Sequence, residues 1–374
     1  MIDSIRKIVG QKYYPLNEIE ISKTALLHNY KYLTELSGVP VAPVLKSNAY
    51  GHGIEIVGKI LDSIAPPLIR VDSIYEAYQL LNAKVKTPIF VMGYVSSENL
   101  SVKKLPFSFS VYTNEMLINI KKYQPHAGVH IFVDSGMHRE GVPMDELSEF
   151  LKKAKSLDLN IVGIISHFAK PDSHTNVNTK NQIDNFEKAI EIGKSLDINF
   201  KFIHLFASNG IRNIENYRRV DNLTRSGKAL YGIDTLKNSK KLKPVLSLNS
   251  TIIQIKKLKK GEAVGYDFIF KAPRDMVTAI LPIGYNDGVS RRLSNKGFVK
   301  IGNNFCQIIG RVSMNITVID ITNVKNARVG QKVNIYSNNP NDKNCVFNVA
   351  EETGAIPYEI LTHLNPSTKR ITIT

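Results

Sequence analysis

Only two cysteines occur in the chain, Cys306 and Cys345, far apart and neither in a C-x-x-C pair. That excludes a disulfide framework and the cysteine-rich metal sites, whose ligands come in close pairs, so no metal is expected. No apolar run approaches the roughly 20 residues needed to cross a bilayer. The opening Met1-Ile-Asp-Ser-Ile-Arg6 lacks the apolar core of a secretory signal. The expected location is therefore cytoplasmic, with no membrane partner. Internal repeats and low-complexity segments are missing. So are zinc-finger spacing and the aromatic motifs of RNA-binding sheets.

What is there suits a globular protein. Apolar residues make up 43% of the 374 and charged residues 22%, ordinary values for a soluble domain. At roughly 150 residues per domain, two domains are expected. Lysine and arginine outnumber the acids by 16. The densest basic run, Lys237 to Lys243 with four lysines, lies between two patterned regions. The excess therefore reads as a lysine-rich solvated surface, with no nucleic-acid partner expected.

From residue 40 to about 232, short apolar runs alternate with amphipathic stretches. The runs are Val41–Leu45, Leu68–Val71, Pro88–Met92, Phe107–Val111, Val129–Val133, Ile161–Ser166, Phe202–Phe206 and a last one near Asn222–Arg225. Such runs suit strands buried on both faces of a parallel sheet. Thr113–Lys122, Asp145–Lys155 and Thr179–Ser195 carry helical patterns between them. Eight strands mostly separated by helices predict an α/β fold, an eight-stranded (β/α)8 barrel. An open doubly wound sheet is the alternative from periodicity alone.

After residue 240 the texture changes. Val245–Lys256, Val277–Pro282, Phe298–Ile301, Gln307–Val312, Thr317–Ile321 and Lys332–Tyr336 are strand-like, and helical patterning returns only at Asn348–Gly354. This predicts a mainly β C-terminal domain. The expected division is a barrel over 12–240 and a β domain over 241–374, with residues 1–20 packing on the latter and Leu236–Pro244 as the linker.

The most informative stretch is Val44-Leu-Lys-Ser-Asn-Ala-Tyr-Gly-His-Gly53. It places Lys46 at the C-terminal end of the first barrel strand, where barrel active sites form. A lysine at an apolar strand end must be paired, deprotonated or covalently used. Desolvation would make its amine a nucleophile for carbonyls; a salt-bridged lysine is the plainer alternative.

This decapeptide resembles the pyridoxal 5'-phosphate (PLP) attachment motif of the alanine racemases, and motifs over residues 15–372 follow that family in order. The resemblance implies an eight-stranded barrel followed by a β domain, and interconversion of L- and D-alanine for peptidoglycan by a homodimer with shared active sites. It implies that Lys46 carries PLP covalently and that Tyr50 contacts the phosphate. In Ser166-His-Phe-Ala169, His167 would lie against the pyridine ring; alone it reads as a structural histidine. In His204-Leu-Phe-Ala-Ser-Asn-Gly210, Ser208 would reach the phosphate; alone it reads as a helix N-cap. In Thr224-Arg-Ser-Gly-Lys-Ala-Leu-Tyr-Gly232, Arg225 would face the ring nitrogen, and Gly227 and the Lys228 N–H would add phosphate contacts. An arginine cannot give up its proton, so the ring nitrogen would stay unprotonated and the cofactor would be a weaker electron sink.

In Glu262-Ala-Val-Gly-Tyr-Asp267, the resemblance makes Tyr266 the second catalytic base beside Lys46, acting in the partner's barrel. Tyr285 in Gly284-Tyr-Asn-Asp-Gly288 would line the substrate entrance. Met314 in Gly310-Arg-Val-Ser-Met-Asn315 would bind the substrate carboxylate through its N–H. Tyr358 would reach the phosphate. In Asp134-Ser-Gly-Met-His-Arg-Glu-Gly141, Arg139 would orient the cofactor hydroxyl and the carboxylate. Two positions depart from the family pattern. Phe132 stands where many members have a carbamylated lysine that holds the arginine, so either an anion such as chloride holds Arg139 or it is held differently. Asn315 stands where the family usually has aspartate.

Overall fold

The structure is a computed structural model that describes residues 14–171, 177–213, 215, 217–233 and 241–374. Contacts divide it into two compact units, Ser22–Val245 and a second unit of Leu246–Ile373 with the segment that ends at Ile21. The predicted linker falls largely outside the described residues.

The strands up to residue 226, in chain order, are β1 (Glu18–Ser22), β2 (Val41–Pro43), β3 (Ile69–Val71), β4 (Ile89–Val91), β5 (Phe107–Val111), β6 (Gly128–Asp134), β7 (Val142–Pro143), β8 (Asn160–Ile165), β9 (Phe202–His204) and β10 (Thr224–Ser226). In the larger unit a parallel sheet runs β3-β4-β5-β6-β8-β9, with β7 beside β6, and β10 pairs in parallel with β2. Backbone bonds join the two pieces into a ring. Val44 bridges Arg70 in parallel, and the Arg225 N–H donates to the Phe206 carbonyl at 3.0 Å. Each predicted barrel strand forms, although several are trimmed to three residues. The ring is filled, as a small barrel must be. Ala42, Leu68, Phe90, Phe132, Ile165 and Leu223 point inward as one buried cluster.

Local chemistry sets the helix ends. Thr113 accepts the Met116 N–H and starts the helix Asn114–Tyr123, and Ser73 does the same for Ile74–Asn82 through the Glu76 N–H. An N-cap hydroxyl of this kind satisfies an otherwise orphaned donor.

The second unit is built on antiparallel sheets. Leu246–Thr251 pairs with β1 on one side and with Lys332–Tyr336 on the other. The predicted strand Val245–Lys256 is broken in two, Leu246–Thr251 and Gln254–Leu258, which lie in different sheets. The predicted Gln307–Val312 strand differs as well. The strand is Asn304–Gln307, and beyond it only Ile308 bridges Ile319. The chain leaves the sheet there to carry the loop of Met314. A helix at Pro357–Thr362, unforeseen from the sequence, follows the expected one at Val346–Thr353.

Candidate active site

Lys46 follows β2 and opens an unusual turn. Ser47, Asn48, Ala49 and Tyr50 all have φ between 52° and 55°, the left-handed region. Side chains disfavour that region by about 1–2 kcal/mol per residue, so the surroundings must enforce it. Asn48 Oδ1 accepts the Ile54 N–H at 2.8 Å, and Gly53 donates to the Asn48 carbonyl at 3.0 Å. Buried Glu76 accepts the Asn48 N–H at 3.3 Å on one oxygen and the Asp72 N–H at 2.8 Å on the other. One carboxylate thus ties the lysine turn to the end of β3. His52 packs beneath, its Nδ1 3.0 Å from two turn carbonyls and its ring 4.4 Å from Tyr231. The desolvation expected of Lys46 is incomplete: the side chain is 42% exposed, and Nζ lies 3.9 Å from Asp72 Oδ1.

Arg225, on β10, is sealed in the barrel floor. Its Nη2 donates to the carbonyls of Ser166 at 2.7 Å and Leu205 at 2.6 Å, and faces His167 Nδ1 at 3.2 Å. Burial pulls Arg225 down to about 10, with Asp221 opposing the fall, so it stays a guanidinium at neutral pH. Burial and then Arg225 hold His167 well below the usual imidazole range. Deeper in, His130 is pushed down to about 3 by burial and by Arg70, and His204 falls well below its usual value for the same reason, burial first. Arg70 lies over the Phe90 ring at 4.9 Å. The floor is therefore guanidinium and neutral imidazole.

Beside it lies a cradle of donors. Ser208 Oγ accepts the N–H groups of Gly227 at 3.2 Å and Ala229 at 3.4 Å. A Cβ at Gly227 would stand 2.5 Å from the Tyr50 hydroxyl, so only glycine lets Tyr50 in. Lys228 opens the short helix after Gly227. Ser208 is not the N-cap of its own helix; Ala207 holds that place.

Arg139 sits on the loop after β6. Asp134 Oδ1 accepts the N–H groups of Gly136, Met137 and His138 at 2.9–3.0 Å and shapes that loop. The Arg139 guanidinium is gripped by both oxygens of Glu140, with Nη2 at 2.6 Å and Nε in contact. Arg139 is thus paired with its chain neighbour, while Phe132 is buried edge-on to Tyr112. Sequence reasoning missed Glu140, Glu76 and Asp72. The signal for Asp72 was available: like Lys46, it directly follows an apolar run.

In the β unit, the turn Tyr266–Phe268 leaves Tyr266 67% and Phe268 68% exposed, with Asp267 paired to Arg311 at 2.9 Å. Tyr285 and Asn286 donate their N–H groups to the Ser313 and Met314 carbonyls, both at 3.0 Å. This brings the Tyr285 and Met314 loops together. Asn315 donates to Asp287 Oδ2 at 3.4 Å, a contact an aspartate could not make. Tyr358 lies half-buried in the helix Pro357–Thr362.

The barrel residues fit PLP. Tyr50, Ser208 and the Gly227 N–H come together near a partly open amine, and Arg225 keeps a buried Nε without a hydrogen bond. An α/β-barrel unit joined to a mainly β unit is the class the fold defines. The comparisons with known proteins agree. The profile of the alanine racemase N-terminal domain matches residues 21–235, and that of the C-terminal domain matches 245–372. The chain belongs to the alanine racemase family, which is a family of PLP-dependent isomerases. It is 31% identical to the alanine racemase of Fusobacterium nucleatum over 95% of this chain and 99% of that one. Helicobacter pylori strain J99 has a relative at 31%, covering 94% and 98%. Among solved structures, the alanine racemase of Bacillus anthracis with bound L-Ala-P is 28% identical, with a TM-score of 0.87 over 97% and 96%. That of Bartonella henselae, with covalently bound pyridoxal phosphate, is 26% identical, with a TM-score of 0.84 over 96% and 100%.

Proposed function

We propose that this protein interconverts L- and D-alanine in the cytoplasm as a PLP-dependent homodimer, and so supplies D-alanine for peptidoglycan. The supporting observation is Lys46, built onto a strained strand-end turn beside a phosphate cradle in a chain matched along its length by the family. Lys46 holds the cofactor through its ε-amine. Tyr50, Ser208, the N–H groups of Gly227 and Lys228, and Tyr358 take the phosphate. When bound, PLP supplies a conjugated system that acidifies the Cα–H of an attached amino acid.

The remaining work falls to this chain's residues. Arg225 can only donate, so it leaves the ring nitrogen unprotonated. Because guanidinium can only donate, His167 Nδ1 is the acceptor in their contact, and its neutral ring carries the proton on Nε2. Arg139 and the Met314 N–H orient the substrate carboxylate, and Tyr285 narrows the entrance to a methyl-sized side chain. Lys46 takes or returns the Cα proton on one face. Tyr266 of a second copy does so on the other, which inverts the centre. Two exposed aromatic rings on a turn pinned by an ion pair support such a partner, since large apolar groups held in water mark contact surfaces.

A racemisation assay across small L-amino acids tests the reading. Alanine should give the highest kcat/KM. A higher value for serine would identify a serine or broad-specificity racemase, and no racemisation by a PLP-loaded dimer would refute it.

A further inference from the structure

We propose that Asp72 is a positioning residue for Lys46, its carboxylate docking the ε-ammonium whenever the amine is not covalently engaged. This rests on the assignment of Lys46 as the cofactor lysine. Asp72 directly follows β3, Lys46 lies just beyond β2, and the two side chains meet at 3.9 Å. Its backbone is fixed on both sides. The Asp72 N–H is held by Glu76, the same buried carboxylate that holds the lysine turn, and its carbonyl accepts the Gly93 N–H at 2.9 Å. A Cβ at Gly93 would stand 2.4 Å from that carbonyl oxygen, so the fit is close. The backbone thus fixes the point from which the Asp72 carboxylate reaches Lys46, which most surface ion pairs lack.

The charged and titratable groups around it come from five segments of the chain. Lys46 and Glu76 stand nearest. Tyr112 feels Glu140, Tyr94 and Asp72, and Arg139 feels Glu140 and Asp72. Glu140 already occupies Arg139, which leaves Asp72 to Lys46. Among the described residues, Lys46 is the ion-pair partner of the Asp72 carboxylate. When Lys46 accepts a proton the charge appears 3.9 Å from this carboxylate, and the proton stays on nitrogen throughout. Both side chains are partly exposed, so the effect is modest. Exposed pairs of this kind amount to about a two- to fivefold change in an equilibrium.

The test is the rate at which formaldehyde and cyanoborohydride methylate Lys46 in the full-length protein stripped of cofactor, read by mass spectrometry. The free amine adds to formaldehyde, which is neutral, and excess cyanoborohydride reduces the iminium ion as it forms, so the rate reports escape from the pair. At neutral pH and low salt, Asp72→Asn should raise the Lys46 rate about two- to fivefold. Asp72→Glu should restore the wild-type rate. Exposed Lys59 serves as the internal reference and should not change. Salt near 1 M should abolish the difference by screening the pair, and should by itself speed the wild type. Equal rates at low salt, or a difference that persists in high salt, would overturn the proposal. The underlying assignment has its own readout: added PLP should protect Lys46. Unprotected Lys46 counts against the cofactor reading, and equal rates with full protection count against Asp72 alone.

Discussion

Arg225 donates across 3.2 Å to Nδ1 of His167, with Arg225 sealed in the barrel floor and His167 half-buried beside it. The same guanidinium nitrogen also serves two carbonyls from neighbouring strand ends. Removing it leaves the Ser166 and Leu205 carbonyls and an imidazole without their donor. Breaking a buried charged network in this way costs about 3–5 kcal/mol. Arg225→Ala should lower the unfolding free energy by about that much, while Arg225→Lys, which still reaches one carbonyl, should lose less. Denaturant titration of the two variants checks both values. Wild-type stability in Arg225→Ala would show that the network carries no load.

Asp221 gives a pH signature with an unusual sign. Burial lifts its carboxyl to about 6, against the pull of Arg219, the Phe206 N–H and Arg225. The unfolded value is near 3.9, so the folded state binds the proton more tightly. The stabilisation is fully present below about pH 4 and is lost as pH rises through about 6. Relative to Asp221→Asn, wild-type stability should therefore fall by about 2–3 kcal/mol between pH 4 and 7. Parallel stability curves would contradict the shift.

Both oxygens of Glu140 contact the Arg139 guanidinium. Glu140→Gln keeps the shape but removes the charge that grips the guanidinium. The KM for alanine should rise about two- to fivefold with kcat within twofold, since an exposed ion pair is worth about 0.5–1 kcal/mol. Added chloride should recover part of the loss. An unchanged KM would show that Arg139 is held by something else.

Tyr266 is tested by separating exchange from inversion. The two enantiomers are equal in energy, so kcat/KM must fall equally in both directions whichever base is lost. In Tyr266→Phe, racemisation should drop by about 10²–10⁴-fold, the usual contribution of a general acid–base group. One enantiomer should still exchange its Cα hydrogen with solvent deuterium through Lys46. Exchange lost together with inversion for both enantiomers would remove Tyr266 as a separate base.

The barrel was legible because each strand is an apolar run bounded by helix-forming segments, and Lys46 because it stands at the end of such a run. Gln307–Val312 misled because its apolar residues are buried in a loop crossing rather than paired in a sheet. The helix Pro357–Thr362 is only six residues long, too short for a helical period to show. The left-handed turn at 47–50 is set by Glu76, some 26 positions or more away in sequence, and no local pattern announces it. Glu140 was hidden for a different reason: neighbouring residues in a loop face each other only if the backbone folds back, and here Asp134 makes it do so. The roles of Tyr266, Met314 and Tyr358 came from family resemblance alone, because residues in short turns and in a six-residue helix carry no periodic signal.

Borohydride reduction of the purified holoenzyme, followed by peptide mapping, probes the chemistry most directly. A single phosphopyridoxyl adduct on Lys46 is the predicted result, with the visible absorption lost on reduction and absent from Lys46→Ala. An adduct on another lysine, or protein that takes up no PLP, would contradict it.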